Sequence, residues 1–142
     1  MERYDIISEI AGDFASFKRV IWTSCAARSP QSMPTPAQIG VLALVASEGP
    51  QNLKDLAGRL CMSSSAATQL VDGLVADRML TRTEDSNDRR RIKLALTESG
   101  KLKLAQAKKA RLAAFTRLLA PLSEKELNEW RRLQRKIIEH AA

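Results

Sequence analysis

Catalytic equipment is scarce in this chain. Its 142 residues include one histidine, His140 near the C-terminus, two cysteines and 4% aromatic residues. There is no glycine-rich phosphate loop, no Gly-x-Ser-x-Gly turn and no pair of histidines, so the common nucleophilic and phosphoryl-transfer sites are missing. Ser63-Ser64-Ser65 offers hydroxyls without a neighbouring base in sequence, and Asp55, Asp72 and Asp77 read as helix-surface charges. Cys25, Cys61 and His140 do not compose a zinc site, so neither a metal nor another cofactor is expected. Long apolar runs are absent too. Charged or polar residues interrupt each one well before the roughly 20 residues a membrane helix needs, and residues 1–13 carry acids where a secretory signal has a basic flank. The expectation is a cytoplasmic protein that is not an enzyme and does not enter a membrane.

Acidic residues are themselves missing from one stretch. Between Glu98 and Glu124 the chain has Lys101, Lys103, Lys108, Lys109, Arg111 and Arg117 and no Asp or Glu. The whole chain carries +7 at pI ≈ 9.9, a balance that favours polyanionic partners through steering and counterion release. With 44% hydrophobic and 27% charged residues, the composition is that of an ordinary globular protein, large enough for one domain or two small coupled modules.

Periodicity and caps predict the elements. Apolar residues at Ile6, Ile10, Phe14, Phe17, Ile21 and Trp22 predict a helix from Asp5 to about Cys25, with more large side chains than a lone surface helix carries. Thr35, Pro36 and Gln38 form a capping box with proline at the first helical position, and Gly49-Pro50 ends that helix. Two short segments follow, Asn52 to Leu60 and Ser63 to Val75, each with an apolar stripe at helical spacing and joined at Cys61-Met62. They predict a helix-turn-helix. Ser63 is the expected cap of the second helix, whose outward face carries Ser64, Ser65, Thr68, Gln69 and Asp72; such small or hydrogen-bonding side chains suit a major groove. Leu80 to Glu84 and Ile92 to Leu96 predict a hairpin, the second strand alternating apolar Ile92, Leu94 and Leu96 with Lys93 and Ala95. The turn Asp85 to Asp88 is followed by Arg89, Arg90 and Arg91, which repel one another unless a polyanion offsets them. Thr97 caps a long helix that Pro121 breaks, and Ser123 with Glu126 restarts one carrying Leu127, Trp130, Leu133, Ile137 and Ile138.

In its order of elements this chain resembles the MarR family of winged-helix regulators. The most specific match is Asp88-Arg89-Arg90 followed by Leu96-Thr97 and Gly100, similar to the family's Asp-x-Arg, short strand and Leu-Thr-x-x-Gly. Thr35-Pro36-x-Gln38, Leu56-Ala57, Thr68 and Leu70-Val71-Asp72 add to it. The resemblance implies a mainly α fold with a small β-hairpin wing: an N-terminal helix in 1–34, a winged helix-turn-helix in 35–97 and C-terminal helices in 98–142, the terminal parts forming a helical dimerisation region. It implies a homodimer that binds a pseudo-palindromic site on double-stranded DNA, most simply as a repressor. Ser63, Ser64, Ser65, Thr68 and Gln69 would approach the major groove; Arg90 would enter the minor groove, held by Asp88, while Arg89 and Arg91 face phosphates.

Three positions depart from the family: Gln69 replaces a frequent basic residue, Gly73 interrupts the reading helix, and Arg78 stands where glycine is common. The family also implies a switch, through a small aromatic or anionic effector or through a cysteine near the first helix. Trp22, Met33 and Leu42, with Arg28 for an anion, are the candidate pocket, and Cys25 the candidate thiol. A winged helix that binds protein rather than DNA is the remaining alternative.

Overall fold

The computed structural model describes residues 2–26, 33–49, 52–84, 86–88 and 91–141. Its elements run α1 (Arg3–Ala26), α2 (Pro36–Ser47), α3 (Leu53–Arg59), α4 (Ser64–Ala76), β1 (Leu80–Glu84), β2 (Ile92–Leu96), α5 (Glu98–Leu118) and α6 (Glu124–Ala141). This is the mainly α chain with one hairpin that the sequence patterns predict. It divides into two compact units, residues 29–109 and residues 1–28 with 110–142. The first three turns of α5 therefore belong to the unit that holds the helix-turn-helix.

In the 29–109 unit each short helix is started by a side chain that satisfies an otherwise orphaned amide. The Thr35 hydroxyl accepts from the Gln38 amide at 3.2 Å while the Thr35 amide donates to Gln38 Oε1 at 2.8 Å. Asn52 Oδ1 accepts from the Asp55 amide at 2.7 Å and Ser63 Oγ from the Ala66 amide at 3.2 Å. The apolar stripes then meet: Val41 and Leu42 of α2, Leu56 of α3, Val71 and Leu74 of α4 and Leu80 of β1 are fully enclosed or nearly so. Burying one such leucine or valine contributes about 1.5–3 kcal/mol. No polar or charged side chain is buried among the described residues, so this core carries no desolvation penalty of that kind.

The hairpin is antiparallel, with Leu80 opposite Leu96, Arg82 opposite Leu94 and Glu84 opposite Ile92. Period two puts Leu80, Ile92 and Leu94 into the core and leaves Thr81, Thr83, Lys93 and Ala95 in solvent. Its open end is clamped by Thr97. The Thr97 hydroxyl donates to the Arg78 carbonyl at 2.6 Å and accepts from the Gly100 amide at 3.0 Å, and the Thr97 amide donates to the Met79 carbonyl at 3.1 Å. Gly100 permits this closeness, because a Cβ there would lie 2.0 Å from the Met79 carbonyl oxygen. Leu-Thr-x-x-Gly is thus a weld between the turn after α4 and the start of α5.

The other unit is built from α1, the last turns of α5 and α6. Phe17 sets its ring edge-on to Phe115 and Trp130, with centroids 5.8 and 5.7 Å apart. Ala114 is fully buried, and Arg117 Nη2 donates to the Ser24 carbonyl at 3.5 Å. α6 opens with the expected capping box: the Ser123 amide donates to Glu126 Oε2 at 2.8 Å, and the Ser123 hydroxyl accepts from the Glu126 amide at 3.4 Å. The backbone N–H of Ser123, and then its hydroxyl, hold the Glu126 carboxyl below the usual carboxylate range. This unit does not close on itself. Ile10 is 61% exposed, Phe14 63%, Ile137 68% and Ile138 66%, and α6 has no buried residue. An open groove of ≈ 700 Å³ lined by Arg3, Lys136, Ile137, Glu139, His140 and Ala141 lies on this unit.

Candidate nucleic-acid interface

α4 presents the polar surface expected of a reading helix, and its hydrogen bonds sort its residues. Ser63 is occupied as the cap, with its Oγ also 3.2 Å from Ser65 Oγ. The Thr68 hydroxyl donates to the Ser64 carbonyl at 2.9 Å, leaving its lone pairs outward. Ser64 and Gln69 are exposed and keep their full donor and acceptor capacity; a primary amide suits the paired N6 and N7 of adenine. The amides of Ser64 and Ser65 are among the first-turn donors that a helix leaves without an internal acceptor, and such donors suit a phosphate oxygen.

The turn that aims α4 is made at Cys61, which has φ 52° and is exposed. This left-handed conformation costs a non-glycine residue about 1–2 kcal/mol. α3 is held to the end of α2 by an ion-pair cluster in which Arg59 engages Asp55 (2.9 Å) within α3 and Glu48 just past α2. Hydrogen bonding to Asp55 raises the Arg59 guanidinium above its ordinary value. That arginine is committed to the scaffold.

The wing joins α4 through a contact not anticipated from the sequence. Arg82 Nη1 lies 3.4 Å from Asp72 Oδ1, tying β1 to the outward face of the reading helix. Strand parity explains it: Arg82 sits opposite Leu94 on the core-facing side of the hairpin, so its stem runs along apolar surface and its head emerges at α4. An exposed pair of this kind is worth about 0–1 kcal/mol, so its effect is orientation more than stability. At the hairpin tip, Asp88 and Arg91 are exposed and the Arg91 amide donates to the Asp88 carbonyl at 2.9 Å. Arg89 and Arg90 lie outside the described residues.

The candidate switch residues belong to different units. Leu42 is fully enclosed in the core of the 29–109 unit, Met33 is half-buried in that unit, and Trp22 is 39% exposed on α1. The enclosure of Leu42 makes it a core residue first. Arg28 and the Cys25 side chain lie outside the described residues. Among the described residues no group of His, Cys, Asp and Glu could hold a metal ion, and no helix is long and apolar enough to cross a membrane.

The MarR family model matches residues 35–92, the segment from the Thr35 capping box to the first residue of β2. The transcriptional repressor MdtR of Bacillus subtilis is 36% identical over 93 residues, a match covering 66% of this chain and 60% of that protein. The chain belongs to the MarR family. The fold is shared over nearly the whole length with solved structures: the YusO protein of Bacillus subtilis superposes with TM-score 0.70 at 27% identity, covering 98% of this chain and 99% of that one. The PcaV transcriptional regulator of Streptomyces coelicolor, solved with its natural ligand, superposes with TM-score 0.67 at 24% identity over 95% of this chain and 93% of that one. MarR proteins are transcriptional regulators rather than enzymes, in keeping with the missing catalytic groups. Within the family frame, α3 and α4 are the helix-turn-helix and β1 and β2 the wing.

Proposed function

We propose that the chain is a sequence-specific transcriptional repressor that binds a pseudo-palindromic operator in double-stranded DNA as a homodimer and is released by a small aromatic or anionic ligand. The observation that carries the reading is the exposed polar start of α4, with Ser64 and Gln69 free to bond outward, beside a hairpin whose tip holds three consecutive arginines. Gln69 pairs with an adenine edge, Ser64 and Thr68 add single hydrogen bonds, and the first amides of α4 take a phosphate. Arg90 enters the minor groove with Asp88 orienting it, and Arg89 and Arg91 take phosphates. The repressor role of MdtR supports the sign of the regulation.

The uncovered apolar surface of α1 and α6 supports dimerisation. Ile10, Phe14, Leu112, Ile137 and Ile138, each more than half exposed on one small unit, favour a second copy, and a two-fold interface would place two reading helices about 34 Å apart on DNA. For the effector, Trp22 supplies an aromatic surface, Met33 an adaptable one and Arg28 a cation, as far as one chain contributes. The ligand-bound state of PcaV supports a ligand-operated switch.

Selecting bound sequences from random duplex DNA, then titrating the winner at two salt concentrations, tests the reading. An inverted repeat with half-sites about one turn apart and a steep salt dependence is expected. Uniform weak binding with no enriched sequence would contradict it.

A further inference from the structure

The excess positive charge of this chain does not lie on its reading helix. α4 from Ser64 to Ala76 has no Lys or Arg and one acid, Asp72, whereas α5 carries six Lys and Arg residues against Glu98 alone. Within the 29–109 unit, Lys101, Lys108 and Lys109 are all exposed. Lys101 and Lys108 are seven residues apart, hence on one side of the helix about 10 Å apart, with Lys109 one step round. Buried Leu104 and Ala107 anchor the flank beside them, Leu104 being three residues from Lys101 and four from Lys108.

A second observation points to the same corner. Arg78 has φ 57°, a left-handed conformation that glycine adopts freely and arginine does not. Thr97 grips the Arg78 carbonyl at 2.6 Å, so the fold imposes this backbone whatever the side chain. The side chain is exposed and makes no ion pair among the described residues. A cation is thus kept where folding alone favours glycine, at the foot of the helix that bears the lysines. The acids nearest in sequence are Asp77 and Glu98, and Glu98 is already engaged by Lys101 Nζ at 2.7 Å.

We propose that Arg78, Lys101, Lys108 and Lys109 form an auxiliary phosphate-binding face that grips duplex DNA beyond the operator core. The inference rests on the DNA-binding reading above. β2 runs from the arginine-bearing tip to Thr97, so the face begins at the base of the wing, about 17 Å back from its tip. Duplex that continues past the wing presents a phosphate charge every ~1.7 Å of axis. Contacts of this kind read no sequence; they add affinity that depends on duplex length and salt.

The test compares two duplexes, one limited to the selected operator and one extended by a helical turn, about 10 base pairs, at each end. Wild-type protein is expected to bind the extended duplex more tightly and with a steeper salt slope. In the triple variant Lys101→Gln, Lys108→Gln, Lys109→Gln, the slope on the extended duplex falls by about three per protomer, and in Arg78→Gly by about one. Binding to the short duplex is unchanged in both. Arg78→Gly melts at or above the wild-type temperature, which separates a lost contact from lost folding. Unchanged slopes on the extended duplex overturn the proposal, as does an equal loss on both duplexes. Wild-type protein that holds neither duplex overturns the repressor reading and this inference with it.

Discussion

The two units of this chain solve the same problem differently. The 29–109 unit encloses Leu42, Leu56, Leu74 and Val71 completely and leaves polar groups outside. The unit of α1, α6 and the end of α5 buries Ala114 and gathers rings around Phe17 while Ile10, Phe14, Ile137 and Ile138 stay mostly in water. A closed core is the mark of a module that is complete in one copy. An open one of this size exceeds what isolated surface apolar residues explain. The contrast suits the proposed dimeric reader: a closed core where DNA would be read, and uncovered apolar surface where a second copy would pack.

Truncating the closed core should have the largest effect. Leu56→Ala is expected to cost about 2–5 kcal/mol independently of protein concentration, measured by denaturant unfolding; a loss under 1 kcal/mol would break the contrast. Phe14→Asp on the open unit should leave the cooperative melt of the 29–109 unit in place and shift sedimentation to the monomer. A dimer unaffected by this change would place the interface elsewhere. Gly100→Ala drives a Cβ against the Met79 carbonyl, and overpacking of this kind costs about 1–3 kcal/mol; thermal denaturation reads it. Gly73→Ala should stabilise by about 1 kcal/mol, since nothing lies within 4 Å of the added Cβ.

The smallest effect concerns pH. The Glu126 carboxyl is held below its ordinary value by the Ser123 amide and hydroxyl, so its contribution to α6 is present above the unfolded carboxylate pKa and is lost as pH falls through the lowered folded value. Thermal melts from neutral to acid pH should show Glu126→Gln converging with wild type at low pH. A difference that grows on acidification would reverse the assignment.

Local chemistry made much of this legible in the sequence. Thr35 with Gln38 and Ser123 with Glu126 each announce a helix start within four residues, and the alternation of Ile92, Leu94 and Leu96 fixes which face of β2 is buried. The polar face of α4 was readable for the same reason: period 3.6 separates Ser64, Thr68 and Asp72 from Ala67, Val71 and Leu74. What stayed hidden depends on groups distant in sequence. Arg82 reaches Asp72 only because hairpin register places it beside Leu94, and Leu42 could line a pocket or a core until the packing of α2 on α4 and β2 encloses it. Arg78 is the sharpest case. Its identity argues against a left-handed turn, and only the Thr97 clamp shows why the turn persists.

The most direct test of the paired-reader account is the stoichiometry of the complex, measured by sedimentation of the full chain with a duplex carrying the selected inverted repeat. Two copies per duplex, falling to one when a half-site is scrambled or when Phe14→Asp protein is used, is the predicted result. A single copy bound to the intact repeat with undiminished affinity would contradict it.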